Sequence, residues 1–171
     1  MIRTAIGMCA LLHIAALRCP AQTTNSSATG TVQAPVFPKG ERAPAQNFTG
    51  TVWVKSLVAN DSTFQCVVGN VAFEPGARTN WHRHPTGQIL LVTDGVGYYQ
   101  EKGQPKRLIR KGDVVQAPPG VEHWHGASPT QPMTHIAIVP NTEKGVASWL
   151  QPVTDQQYRG ANTNPESSGK P

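Results

Sequence analysis

From residue 46 onward the chain is written in short apolar runs with a period of two, and turn residues separate the runs. The pattern predicts strands over 49–54, 64–73, 79–84, 88–93, 96–100, 107–110, 113–117, 122–127 and 133–139, each long enough to cross one sheet. Between them stand Glu74-Pro75-Gly76, Asp94-Gly95, Lys102-Gly103, Lys111-Gly112 and Pro118-Pro119-Gly120. Such clusters stop a strand and are expected to reverse the chain. Evenly spaced short strands of this kind predict an all-β jelly roll or barrel. Ile89-Leu90-Leu91-Val92 is apolar on both faces, so this strand is expected to be covered on both sides. The second cover would be another layer or a partner subunit, which points to a homodimer or larger homo-oligomer.

Composition narrows this picture without redirecting it. The 171 residues suit one domain, and 16 glycines with 15 prolines favour many turns over long helices. Residues 1–21 have the three regions of a secretory signal: Arg3, an apolar stretch from Ala5 to Leu17, and small residues up to Ala21. Cleavage near Ala21 would place the mature chain in the periplasm or outside the cell. Residues 22–45 and 160–171 are rich in Thr, Ser, Asn, Gly and Pro and are expected to be a flexible linker and a disordered tail. The folded domain is then 46–159.

Removing the signal takes away Arg3 and Arg18, leaving 13 basic against 10 acidic residues, a net charge of +3. That mild and scattered charge argues against a nucleic-acid partner, and no later apolar run is long enough for a membrane helix. Cys9 and Cys19 leave with the signal, so Cys66 remains alone and is expected to be a small buried hydrophobe.

The candidate chemistry lies in histidines. His13 belongs to the signal; His82, His84, His123, His125 and His135 all fall on predicted strands. Period two places His82 with His84 and His123 with His125 on common faces, and Gln88 keeps the parity of the first pair across the Pro85-Thr86-Gly87 turn. Neutral imidazoles and an amide carbonyl suit a divalent Mn, Fe, Ni, Co or Zn ion, whereas calcium would require more oxygens. Trp81 and Trp124 have the opposite parity and are expected to pack behind the site. Thr51, Ala137 and Val139 are candidates for its wall, and Arg78 with Glu122 for an ion pair at an edge or interface.

Gly76, His82-x-His84, Gln88 and Gly95 are spaced as in the first cupin motif, and Gly112, Pro118-x-Gly120 and His123 as in the second. Closer still, Phe73-Glu74-Pro75-Gly76-Ala77-Arg78-Thr79, Trp81-His82-x-His84-Pro85-x-Gly87-Gln88, His123-Trp124-His125-Gly126-Ala127 and Met133-Thr134-His135 resemble the bacterial manganese-dependent cupin hydroxynitrile lyases. The likeness spans about 47–159 and includes glutamine where most cupins have glutamate. This change leaves the site nearer the ion's full charge.

The resemblance implies a single cupin barrel holding one divalent ion, manganese in that family, on His82, His84, Gln88 and His123. It implies cleavage of (R)-cyanohydrins such as mandelonitrile to aldehyde and cyanide, with His125 and His135 in the pocket. His135 is the expected base and His125 a second proton carrier or a donor to cyanide; either could instead serve as an orienting support for the metal site. Two alternatives stay open: another metal-dependent cupin enzyme, such as a dioxygenase or decarboxylase, and a non-catalytic cupin that binds metal or a small ligand.

Overall fold

The structure, a computed structural model, describes residues 34–160. The expected signal over 1–21, the first half of the expected linker and all but the first residue of the expected tail lie outside the described residues. The chain folds as two sheets rolled face to face into a jelly-roll barrel. Its strands are β1 (Glu41–Arg42), β2 (Phe48–Thr49), β3 (Val52–Val58), β4 (Cys66–Phe73), β5 (Arg78–Thr79), β6 (His82–Arg83) and β7 (Gln88–Glu101). They continue with β8 (Arg107–Arg110), β9 (Val114–Ala117), β10 (His123–Ala127), β11 (Met133–Pro140) and β12 (Ser148–Trp149), before helix α1 (Asp155–Arg159). One sheet runs β1-β3-β4-β11-β7-β9, the other β8-β7-β10-β5-β2, with β6 pairing β10 and β12. Every pairing is antiparallel.

Two expectations of local structure are corrected. Asp94-Gly95 does not reverse the chain: β7 runs through it as one strand, and its first half pairs with β9 and β11, its second with β8 and β10. Gly95 holds φ +74°, and two residues before it the register with β11 skips Thr93, so a bulge beside the glycine accompanies the passage of β7 from one sheet into the other. The run 79–84 is likewise interrupted, since β5 and β6 are separate two-residue strands. Glu41–Arg42 pairs with Trp53 and Val54, so regular structure begins ahead of residue 46.

Inside the barrel Val52, Val71, Phe73, Leu90, Val92, Ile109, Val115 and Met133 form the main core. A second cluster joins Trp81, Trp124, Val153 and Tyr158 behind β10, as the parity of the two tryptophans requires. All five residues of β10 are consequently buried. Arg78 pins the second cluster. Its buried guanidinium donates to the Val153 carbonyl through Nε (3.2 Å) and Nη2 (3.0 Å), pairs with Asp155 at 2.7 Å and lies over the Tyr158 ring. The partner of Arg78 is therefore Asp155 rather than Glu122, which pairs with Lys102. Thr154 and Gln157 close a reciprocal capping box at the start of α1. Leu90 and Val92 are buried, Ile89 and Leu91 half-buried, and Cys66 is half-buried rather than fully enclosed.

A Cβ on Gly95 would stand 1.9 Å from the Pro132 carbonyl oxygen, at a positive φ that other residues resist. Gly95→Ala is expected to lower stability by at least about 2 kcal/mol, measured by urea unfolding; an unchanged midpoint would show that β7 does not need the glycine.

Candidate metal centre and cavity

The five histidines and Gln88 meet inside the barrel. β6 carries His82, the turn after it His84, the start of β7 Gln88, β10 His123 and His125, and β11 His135. His82 and His123 are direct cross-strand neighbours, which sets their rings 4.3 Å apart between centroids. His84 lies 5.2 Å from His82 and 5.7 Å from His123 on the same measure. All six side chains are buried, His123 and His135 completely.

Hydrogen bonds to the main chain fix the orientation of three rings. Nδ1 of His82 meets the Asn80 carbonyl at 3.0 Å, that of His84 the Val146 carbonyl at 2.5 Å and that of His123 the Val121 carbonyl at 2.9 Å. A carbonyl only accepts, so in each case Nδ1 carries the proton and donates it, and Nε2 keeps a lone pair. Gln88 reaches into the group, its Oε1 3.1 Å from His123 Nε2. The contact with His123 is informative because a neutral His123 and an amide oxygen both present lone pairs. A cation between them, or a turned amide, resolves the conflict. Nε2 of His84 is buried without a hydrogen-bond partner, which also suits a ligand atom.

The other two histidines pair with each other, His135 Nε2 to His125 Nδ1 at 3.1 Å. Phe73 packs on both rings. Nε2 of His125 and Nδ1 of His135 are buried and unpartnered. Three buried histidines, His82, His123 and His125, have ring nitrogens within 4.8 Å of one another and are positioned to hold a metal ion. By distance alone His125 thus joins the group in place of His84. Hydrogen bonding distinguishes them, because His84, like His82 and His123, is held through Nδ1 by a main-chain carbonyl, while His125 is tied to His135.

Burial dominates the titration of every ring. It drives His82 and His125 well below the usual histidine range, and neighbouring histidines add to the effect. His123 falls to about 4 and His135 to about 3, in both cases chiefly through desolvation. All five imidazoles are therefore neutral near pH 7, the state in which they can ligate a metal or accept a proton.

A cavity of about 220 Å³ opens beside the cluster. His82, His84, Gln88 and His125 border it, and apart from Thr79 the remaining wall is apolar, from Val71, Ala137, Val139 and Trp149 among others. Ala137 and Val139 thus stand where parity expected them; Thr51 does not border the cavity, and His135 lies behind His125. The volume is below the roughly 300 Å³ at which sites for drug-sized ligands begin, so it suits a small substrate. A larger groove of about 690 Å³ near Tyr99, Arg107 and Val114 has no histidine on its wall. Phe48, Val146 and Trp149 are site residues that sequence reasoning missed.

The fold and site define a small all-β barrel with a buried imidazole centre facing an apolar cavity. The cupin domain family matches residues 69–139. The (R)-mandelonitrile lyase of Granulicella tundricola is 47% identical over 118 residues, which make up 69% of this chain and 90% of that protein. A cupin-like protein from Thermotoga maritima is 50% identical with a TM-score of 0.73, covering 75% of this chain and 98% of that one. The DMSP lyase DddQ of Ruegeria pomeroyi shares the fold alone, at 18% identity and a TM-score of 0.53 over 71% of this chain and 62% of that one. This chain belongs to the cupin family.

The neutral state of the rings has a measurable cost in acid. His123 and His135 bind protons less readily folded than unfolded, so their contribution is complete above about pH 6.5 and declines as pH falls towards about 4 and 3. For metal-free protein the expected slope in that window is roughly 1.4 kcal/mol per pH unit for each imidazole, read from urea midpoints at successive pH values. A flat profile from pH 6.5 to 4 would contradict it.

Proposed function

We propose that this protein is a metal-dependent lyase that cleaves (R)-cyanohydrins such as mandelonitrile to aldehyde and cyanide, and catalyses the reverse addition. The observation that carries the proposal is His125, whose buried Nε2 has no partner and whose ring borders an apolar cavity beside three imidazoles locked through Nδ1. The (R)-mandelonitrile lyase at 47% identity supports the reaction class.

In this reading His82, His84, Gln88 and His123 hold one divalent ion, for which we propose manganese. When bound, the ion supplies positive charge that acidifies a substrate hydroxyl and draws the negative charge that develops during cleavage. The protein's own groups handle the proton. With Nδ1–H donating to His135, His125 presents a lone pair on Nε2, which takes the hydroxyl proton. The oxygen's electrons then form the carbonyl, the carbon–carbon pair departs on cyanide, and protonated His125 returns the proton to cyanide. His135 accepts from His125, holding the productive tautomer and stabilising the transient imidazolium. In this reading the base is His125, which borders the cavity, rather than His135.

Purified protein is expected to contain close to one equivalent of divalent metal and to release cyanide from mandelonitrile, with a chelator stopping release and the metal restoring it. No release above a His82→Ala control would sink the proposal; oxygen uptake with iron-loaded protein would point to another cupin chemistry. His125→Ala should lower kcat by at least about a hundredfold. His135→Gln should cost about 10- to 100-fold, mainly in kcat, and displace the pH profile. Equal losses in KM for both variants would instead indicate a role in binding alone.

A further inference from the structure

We propose that Trp149, flanked by Phe48, reads an aromatic ring on the substrate and so sets substrate preference. The chemistry of this inference rests on the lyase reading; its geometry does not. β12 pairs with β6 in a register that sets Trp149 opposite His82, and the indole lies on that imidazole at 4.9 Å between centroids with a 32° tilt. Phe48 approaches from β2, with its ring 5.4 Å from Trp149 at 57°. Rings from three separate segments therefore border one cavity, in the range of distance and tilt at which aromatic groups attract one another.

The rest of the wall leaves space for a ring. Gly69 and Ala137 contribute little bulk, and Val71 and Val139 are aliphatic. The polar groups, His125 and Gln88 among them, share the cavity with this wall, so a substrate whose hydroxyl is held by them sets its remaining atoms against apolar side chains. Trp149 is 39% exposed, and of the large hydrophobic side chains exposed among the described residues it is the one that borders this cavity. Its position is fixed by the main chain on its C-terminal side, where Leu150 N–H donates to the Trp81 carbonyl at 2.8 Å and Trp81 N–H to that of Gln151 at 3.1 Å. The indole is thus presented on a tethered segment, with area left for a flat partner. An aliphatic cyanohydrin would find the same polar groups but forgo the ring–ring attraction.

The test compares wild type, Trp149→Phe and Trp149→Ala by two readouts. The first is the ratio of kcat/KM for mandelonitrile to that for acetone cyanohydrin; the second is calorimetric binding of benzaldehyde in the absence of cyanide, which needs no turnover. Trp149→Ala is expected to lower the ratio roughly tenfold and to weaken benzaldehyde by a similar factor, whereas Trp149→Phe keeps most of both. Metal content should match wild type in each. Unchanged benzaldehyde affinity in Trp149→Ala, or no benzaldehyde binding to wild type, overturns the inference. Should wild type bind benzaldehyde, Trp149→Ala lose it and neither release cyanide, the ring reader stands and the lyase reading falls. Should wild type turn over mandelonitrile with a ratio that Trp149→Ala leaves alone, the lyase reading stands and this inference falls. If Trp149→Ala does not fold, Phe48→Leu carries the same comparison with the same expected direction.

Discussion

The site depends on three hydrogen bonds that leave the cavity altogether: the imidazole Nδ1–H groups of His82, His84 and His123 donating to the carbonyls of Asn80, Val146 and Val121. A neutral histidine has one proton and two nitrogens, and nothing in the ring decides which nitrogen carries it. A fixed acceptor on one side settles the question and leaves the lone pair of each ring on Nε2. Burial adds to the same result by keeping the rings uncharged. Without the carbonyls, the same five histidines would be a buried cluster with no common orientation.

The barrel serves those bonds. β10 is buried on both faces because Trp124, on its outer side, is roofed by Val153 and Tyr158, while His123 and His125 face inward. Arg78 supports the roof from below, and Tyr158 donates its hydroxyl to the Ala127 carbonyl at 2.8 Å. The C-terminal helix is thus linked to the metal centre through one strand, though it contributes no side chain to the cavity.

Much of this was legible in the sequence, for identifiable reasons. Period-two alternation predicted the all-β class and placed His82, His123 and His125 inside and both tryptophans behind, because a strand's pleat converts parity directly into direction. Gln88 was placed by parity across a turn, a weaker argument that the amide's contact with His123 supports. Asp94-Gly95 was misread because a glycine at positive φ serves a bulge as well as a hairpin, and only the strands on either side distinguish the two. The roles of His125 and His135 depend on which ring reaches the cavity, a matter of depth that parity does not encode. Trp149 sits on a two-residue strand too short to show a period. Val146 left no sequence signal at all, since its carbonyl is a group that every residue possesses.

That last point bears on how such a site can diversify. Val146 borders the cavity with its side chain and steadies His84 with its backbone, and the two duties are chemically independent. Replacement at this position can reshape the binding space over generations while the imidazole stays tethered, whereas an inserted or deleted residue nearby would shift the carbonyl and release it. Evolution of a family built this way is free in the lettering of the segment and constrained in its length.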